Sequence, residues 1–250
     1  GLCASMASGV KAQFGTMAKP LNAGLAARTG VEAALWAQAG MTAAHDGLAG
    51  PLGFGETHHA EAAEVKLPRK DWQISTISHK FHACCHGLHA MLEALNGAKI
   101  DADRIAGVKI RTHPRWMSVC NIEEPSTGLE VKFSYAHTAA MALLGHATGA
   151  VENFSDAIAK DKALHALRSK VEVVADETLS ETQSQVTITL ETGEVRRLRH
   201  DLMAPMSLEE RSEKLRMKVV ALLGDGPADQ LWQAVIGADL DAVTACFSAQ

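Results

Sequence analysis

The spacing of apolar residues changes twice along this chain, and few folds accommodate that order. At the start, Leu2, Met6, Val10 and Phe14, then Leu25, Val31, Ala34, Leu35 and Ala39, recur near the helical period. In the middle, Val108, Ile110 and Thr112 alternate as one face of a strand does. "KVEVVAD", "QVTITLETG" and "EVRRLRHDL" read as three further strands. From Ser207 the helical period returns. A period-two segment framed by helical ones predicts a mainly α protein, a helical bundle domain interrupted by a smaller α+β domain. The expected bounds are 1–66 for the helical part, 67–204 for the α+β domain and 205–250 for helices that return to the helical domain.

Local signals refine this outline. Pro20 suits the first position of a helix rich in alanine and glycine, and Gly40 suits its C-terminal cap. So many small side chains let neighbouring helices approach closely, as in the buried layer of a bundle. "ISTISHKFHACCHGLHAMLEALNG" turns into a helix that ends near Gly97, and "FSYAHTAAMALLGHATG" and "DAIAKDKALHAL" read as two more. A hairpin is expected around Thr192-Gly193. Ser207 and Glu210 form the pattern of a capping box, with a helix to about Leu223. After Gly224 and Gly226, "PADQLWQAVIG" and "DLDAVTACFSA" read as two shorter helices.

Charge and cysteine usage narrow the class of function. A formal charge of −5 over 250 residues lacks the basic excess that phosphate binding needs, so no nucleic-acid partner is expected. No apolar run approaches the roughly 20 residues of a membrane span, and no secretory leader pattern is present, so no membrane partner is expected. The five cysteines are odd in number and two are adjacent, Cys84 and Cys85, which suits a reducing cytoplasm. The helical pattern begins at Leu2 without a cap, which predicts a fragment or one half of a split protein.

Two stretches could carry chemistry. In "FGTMAKPLNAG" Lys19 stands at the mouth of the small-residue helix, where a loop lysine before a helix is the ordinary reading. In "SHKFHACCHGLHA" His82 and His86 are four residues apart, as are Cys85 and His89, so on a helix each pair would share a face. A zinc site is conceivable there, but no further ligand pair stands at the usual spacing, and no metal is expected. Packing at a helix start is the plainer reading for Cys84, Cys85 and His89.

Together these stretches resemble the MmgE/PrpD family. "FGTMAKPLNAGLAARTGVEAALWAQAG" is similar to its F-G-T-x-x-K-P-x-x-x-G run and alanine-rich helix. "KFHACCHGLHA" is similar to its K-x-aromatic-P-x-C-x-x-x-H element, with His82 and Ala83 in place of the aromatic residue and the proline. "KFSYAHTAAMAL" resembles its F-S-x-x-Y-x-x-A-x-A-L helix, with His137 where the tyrosine stands. The family includes 2-methylcitrate dehydratase, cis-aconitate decarboxylase and iminodisuccinate epimerase. The resemblance implies a cofactor-independent lyase, with dehydration of a 2-methylcitrate-like polycarboxylate as its foremost activity. It also implies a homodimer, and a large helical domain with an α+β lid.

Lys19 and Lys80 are then the implied cations for substrate carboxylates, or act in proton transfer, and His137 replaces the tyrosine hydroxyl as donor. Thr16, Cys85 and His89 are implied substrate-binding residues, with a structural part equally open to Cys85 and His89. Each member reaction builds negative charge into a carboxylate, which fixed cations stabilise most where water is excluded. The segment that precedes these motifs in family members is not in the sequence. A non-catalytic fragment, or a subunit needing a partner chain that supplies that segment, is the alternative from another class. Decarboxylation and epimerisation remain alternatives within the family.

Overall fold

The computed structural model describes residues 1–58 and 77–248, in two compact units, Gly1–Ile77 and Ser78–Gln250. The expected boundary at residue 67 lies outside the described residues. The chain is mainly helical, with a smaller mixed α+β region around a four-stranded sheet. Among the described residues no helix is long and apolar enough to cross a membrane.

The first unit holds α1 (Leu2–Met6), α2 (Ala18–Gln38) and α3 (Phe54–His58). The apolar period from Leu2 to Phe14 does not make one helix. Ala7 turns extended and Gly9 takes φ +114°, so α1 stops and only a short 3₁₀ turn, Lys11–Gln13, follows. α2 starts at Ala18, two residues ahead of expectation. Pro20 still falls in the first turn, where backbone N–H groups have no intrahelical acceptor and its missing donor costs nothing. At the other end Gly40 adopts φ +90°, its N–H donating to Ala37 O (3.0 Å) and that of Met41 to Trp36 O (2.9 Å). This is the left-handed stop that a glycine permits. Of the 21 residues of α2 only Ala33 is buried, and Leu21, Val31 and Leu35, like the N-cap Met17, are exposed. Within its own unit α2 is therefore not the buried layer its composition predicts.

The second unit opens with an irregular, bent segment and a 3₁₀ turn, His86–Leu88, that runs into α4 (His89–Leu95). β1 (Ile105–Thr112) follows, then α5 (Pro114–Cys120), α6 (Gly128–Val131), α7 (Tyr135–Leu143), α8 (Asp156–Ala159) and α9 (Lys162–Arg168). The sheet is completed by β2 (Val171–Ala175), β3 (Gln183–Leu190) and β4 (Val195–Asp201), in the order β2-β1-β3-β4. β2 lies parallel to β1, which requires the helical crossover between them, while β3 and β4 form the expected hairpin around Gly193. The single helix expected over "DAIAKDKALHAL" is two, because Asp161 leaves helical geometry and caps α9 through Leu164 N–H at 2.9 Å.

Burial alternates along β3, with Ser184, Val186, Ile188 and Leu190 inside and Gln185, Thr187 and Thr189 toward the other face. α4 covers the inner face with Met91, Leu92 and Leu95, and Leu88 of the preceding turn and Tyr135 and Met141 of α7 join the same core. α10 (Leu208–Leu223), α11 (Asp225–Ile236) and α12 (Leu240–Ser248) close the unit. Ser207 caps α10 by accepting from Glu210 N–H at 3.1 Å. The Glu210 carboxylate lies 3.6 Å from Lys214.

Candidate functional site

The histidine-rich stretch bends at 82–84 and is not helical before the 3₁₀ turn at His86. Ala83 N–H donates to Thr148 O (2.8 Å) and Cys85 N–H to Lys132 O (2.9 Å), so both amides look outward to other segments. The expected same-face pairs His82/His86 and Cys85/His89 therefore do not arise from a helix. Behind the turn, Tyr135 Oη donates to Gly87 O (2.6 Å) and shares a hydrogen bond with Thr112 Oγ1 (2.8 Å). Gly87 is required there, since a Cβ would lie 2.7 Å from both Cys120 Sγ and the Trp116 ring.

A chain of polar contacts runs from this stretch to α10. His82 Nδ1 meets Thr148 Oγ1 at 2.6 Å, and His82 Nε2 donates to Glu93 Oε1 at 3.1 Å. Lys214 Nζ donates to Glu93 Oε2 at 2.7 Å. Burial alone would raise the Glu93 carboxyl, but the His82 and Lys214 hydrogen bonds outweigh it and hold it down to about 2. One turn further along α10, Lys218 Nζ donates to Gly149 O. A cavity of about 260 Å³ lies between Phe81, His82, Thr148, Lys214 and Lys218.

Cations collect around the same turn. Burial, then the positive charges of Lys80 and Lys132 among others, lower the Lys218 ammonium; burial and Lys80 lower that of Lys132. Lys132 sits 5.6 Å from the centre of the Phe154 ring. Neither Lys80 nor Lys132 forms an ion pair with a carboxylate among the described residues. Burial pushes the Cys84 thiol up to about 12 despite the opposing charge of Lys80, so Cys84 is a neutral core group. His89 is 2% exposed, and neither of its ring nitrogens has a hydrogen-bond partner. Burial, then the neighbouring His82, His86 and Lys80, bring it down to about 2, so it is neutral. Its ring packs edge-on against His82 (5.1 Å) and His86 (5.3 Å). Among the described residues no three His, Cys, Asp or Glu side chains are grouped to hold a metal ion.

The residues expected at the site fall in three places. Lys80, Cys85 and His89 share the stretch just described, with Lys80 exposed and the other two buried. Lys19 and Thr16 lie in the first unit. Lys19 is exposed in the first turn of α2, and Thr16 Oγ1 donates to Gln13 O at 2.9 Å in the turn before it. His137 lies inside α7, fully buried, with Nε2 donating to Ile158 O at 3.1 Å and Nδ1 unpartnered. Burial, against the Ile158 bond, brings it down to about 4, and its ring meets His165 rather than the turn at His86. Glu93, Lys132, Thr148, Lys214 and Lys218 were not singled out from sequence. The i, i+4 spacing of Lys214 and Lys218 was their one legible signal.

The helix-entry turn of this mixed α+β unit gathers Lys80, Lys132 and Lys218 beside its histidines. The MmgE/PrpD C-terminal domain family matches residues 82–239, and the chain belongs to the MmgE/PrpD family. The match takes in the turn, the sheet and most of the closing helices; Lys80 stands two residues before it. No curated protein matches the chain.

Proposed function

We propose that this protein is a cofactor-independent lyase that dehydrates a small polycarboxylic acid of the 2-methylcitrate kind. The observation that supports the reading is the set of lysines at the turn, Lys80, Lys132 and Lys218, with no carboxylate pairing Lys80 or Lys132 among the described residues. Dehydration breaks a C–H bond beside a carboxylate and a C–O bond on the adjacent carbon, forming C=C. The proton passes to a base, and the hydroxyl leaves as water with a proton from an acid. Charge builds on the carboxylate meanwhile, and a preorganised ammonium stabilises it. Lys80 fills that role here, and Lys19 is the second cation or the proton carrier. His137 donates its Nε2 hydrogen to Ile158 O, so its part in the reaction would require that bond to open.

The test is to assay the purified chain against 2-methylcitrate, citrate and cis-aconitate, following the unsaturated acid. Formation of a new unsaturated acid supports dehydration. Loss of carbon dioxide from cis-aconitate would place the chain with the decarboxylases, and inversion without either would place it with the epimerases.

A second reading has its own observation. α2 carries Leu21, Val31, Leu35 and Trp36 exposed and buries only Ala33, as a helix does when further chain covers it. On this reading the chain acts with a second copy, or with a partner that supplies the family's other helical segment. Activity appearing only when that segment is added in trans would favour it.

A further inference from the structure

We propose that Glu93 and Lys214 are positioning residues for the Lys80 segment, so that α10 sets where Lys80 stands. This rests on the reading of Lys80 as a substrate cation. Lys80 makes no hydrogen bond or ion pair of its own among the described residues, and the nearest hydrogen-bonded side chain is that of His82, two residues on. His82 is gripped on both ring nitrogens, by Thr148 at 2.6 Å and by Glu93 at 3.1 Å. Glu93 in turn accepts from Lys214 at 2.7 Å, with side-chain exposures of only 14%, 6% and 17% for His82, Glu93 and Lys214.

The second lysine of α10 closes the same joint from another side. Lys218 holds Gly149 O, next to the Thr148 carbonyl that accepts from Ala83 N–H. The segment 82–83 is thus fixed through three contacts that all lead to the 148–149 loop or to α10. Lys214 lies 5.3 Å from the Phe81 ring centre and covers the residue between Lys80 and His82. A buried carboxylate paired with a lysine is sensitive to the loss of its partner, because the survivor is left desolvated and unpaired. A lysine moved by about 1 Å from its productive place can cost on the order of 10²-fold in rate.

The test compares the whole chain with Glu93→Gln, Lys214→Met and Lys214→Arg, and with Arg216→Ala as a control on the same helix. Two readouts are taken, amide hydrogen exchange at Ala83 and the separate kcat and KM of the dehydration assay. In Glu93→Gln and Lys214→Met, Ala83 should exchange at least about tenfold faster. Their kcat should fall about tenfold or more with KM changed less than about twofold. Lys214→Arg should restore both, and Arg216→Ala should alter neither. Unchanged Ala83 exchange in both disabling variants would overturn the inference, as would Lys214→Arg behaving like Lys214→Met. If the wild-type chain turns over no polycarboxylate, the functional reading fails, and Ala83 exchange alone decides whether the joint exists.

Discussion

Glu93 is ionised and buried between His82 and Lys214, and that arrangement ties stability to pH. Its carboxyl is held at about 2 against an ordinary value of 4.5, so its contribution is complete above about 4.5 and is lost as pH falls toward 2. The buried histidines act in the same direction for the opposite chemical reason. His89, at about 2, and His137, at about 4, stay neutral in the fold, whereas the unfolded chain protonates them below an ordinary 6.5. The unfolded state then binds more protons, so stability falls as pH drops below 6.5. Urea unfolding from pH 7 to 3 should show a continuous loss. Glu93→Gln should be destabilised by about 3 kcal/mol near neutral pH and should lose most of the additional fall below 4.5. A variant whose acid limb matches that of the wild type would show that Glu93 is not the group responsible.

At the scale of elements, the turn into α4 depends on close approach and α10 depends on its cap. Gly87→Ala would push a methyl group into Cys120 Sγ and the Trp116 ring, and should cost about 1–3 kcal/mol in thermal or urea unfolding. Ser207→Ala removes the acceptor for Glu210 N–H and should cost about 1 kcal/mol, read as a lower urea midpoint with an unchanged slope.

The strands and the long helices were legible because their signals are local. Val108, Ile110 and Thr112 alternate, Ser207 precedes a helical run, and Gly40 follows one. What failed to show was contact between distant segments. Apolar spacing ahead of Phe14 could not reveal the break at Gly9, and histidine spacing in 82–89 could not reveal that Ala83 and Cys85 donate to Thr148 and Lys132 rather than to a helix of their own. The same limit hid half of the site. Lys80, Cys85 and His89 are sequence neighbours and share a motif, whereas Lys132, Lys214 and Lys218 reach the turn only through the fold. Glu93 is 121 residues from the lysine it pairs with.

At the scale of the whole molecule, the question is whether residues far apart in sequence serve one reaction. Lys19 belongs to the unit Gly1–Ile77 and Lys80 to the unit Ser78–Gln250, and the proposed chemistry needs both at one substrate. The exposed apolar residues of α2 and its N-cap Met17, 81% accessible, are what the proposal of a second copy or a partner rests on. The preparation to test is therefore the one that turns over, whether the chain alone or with the family's other helical segment supplied in trans. The decisive measurement is a double-mutant cycle on dehydration rate with Lys19→Met, Lys80→Met and the double variant, using Lys109→Met on the exposed face of β1 as a control. Each single variant should lose about 10²–10³ in turnover, while the control keeps the wild-type rate. The double variant should lose far less than the product of the two single losses, as groups acting on one transition state do. Wild-type turnover in either single lysine variant, or losses that simply multiply, would contradict a shared site.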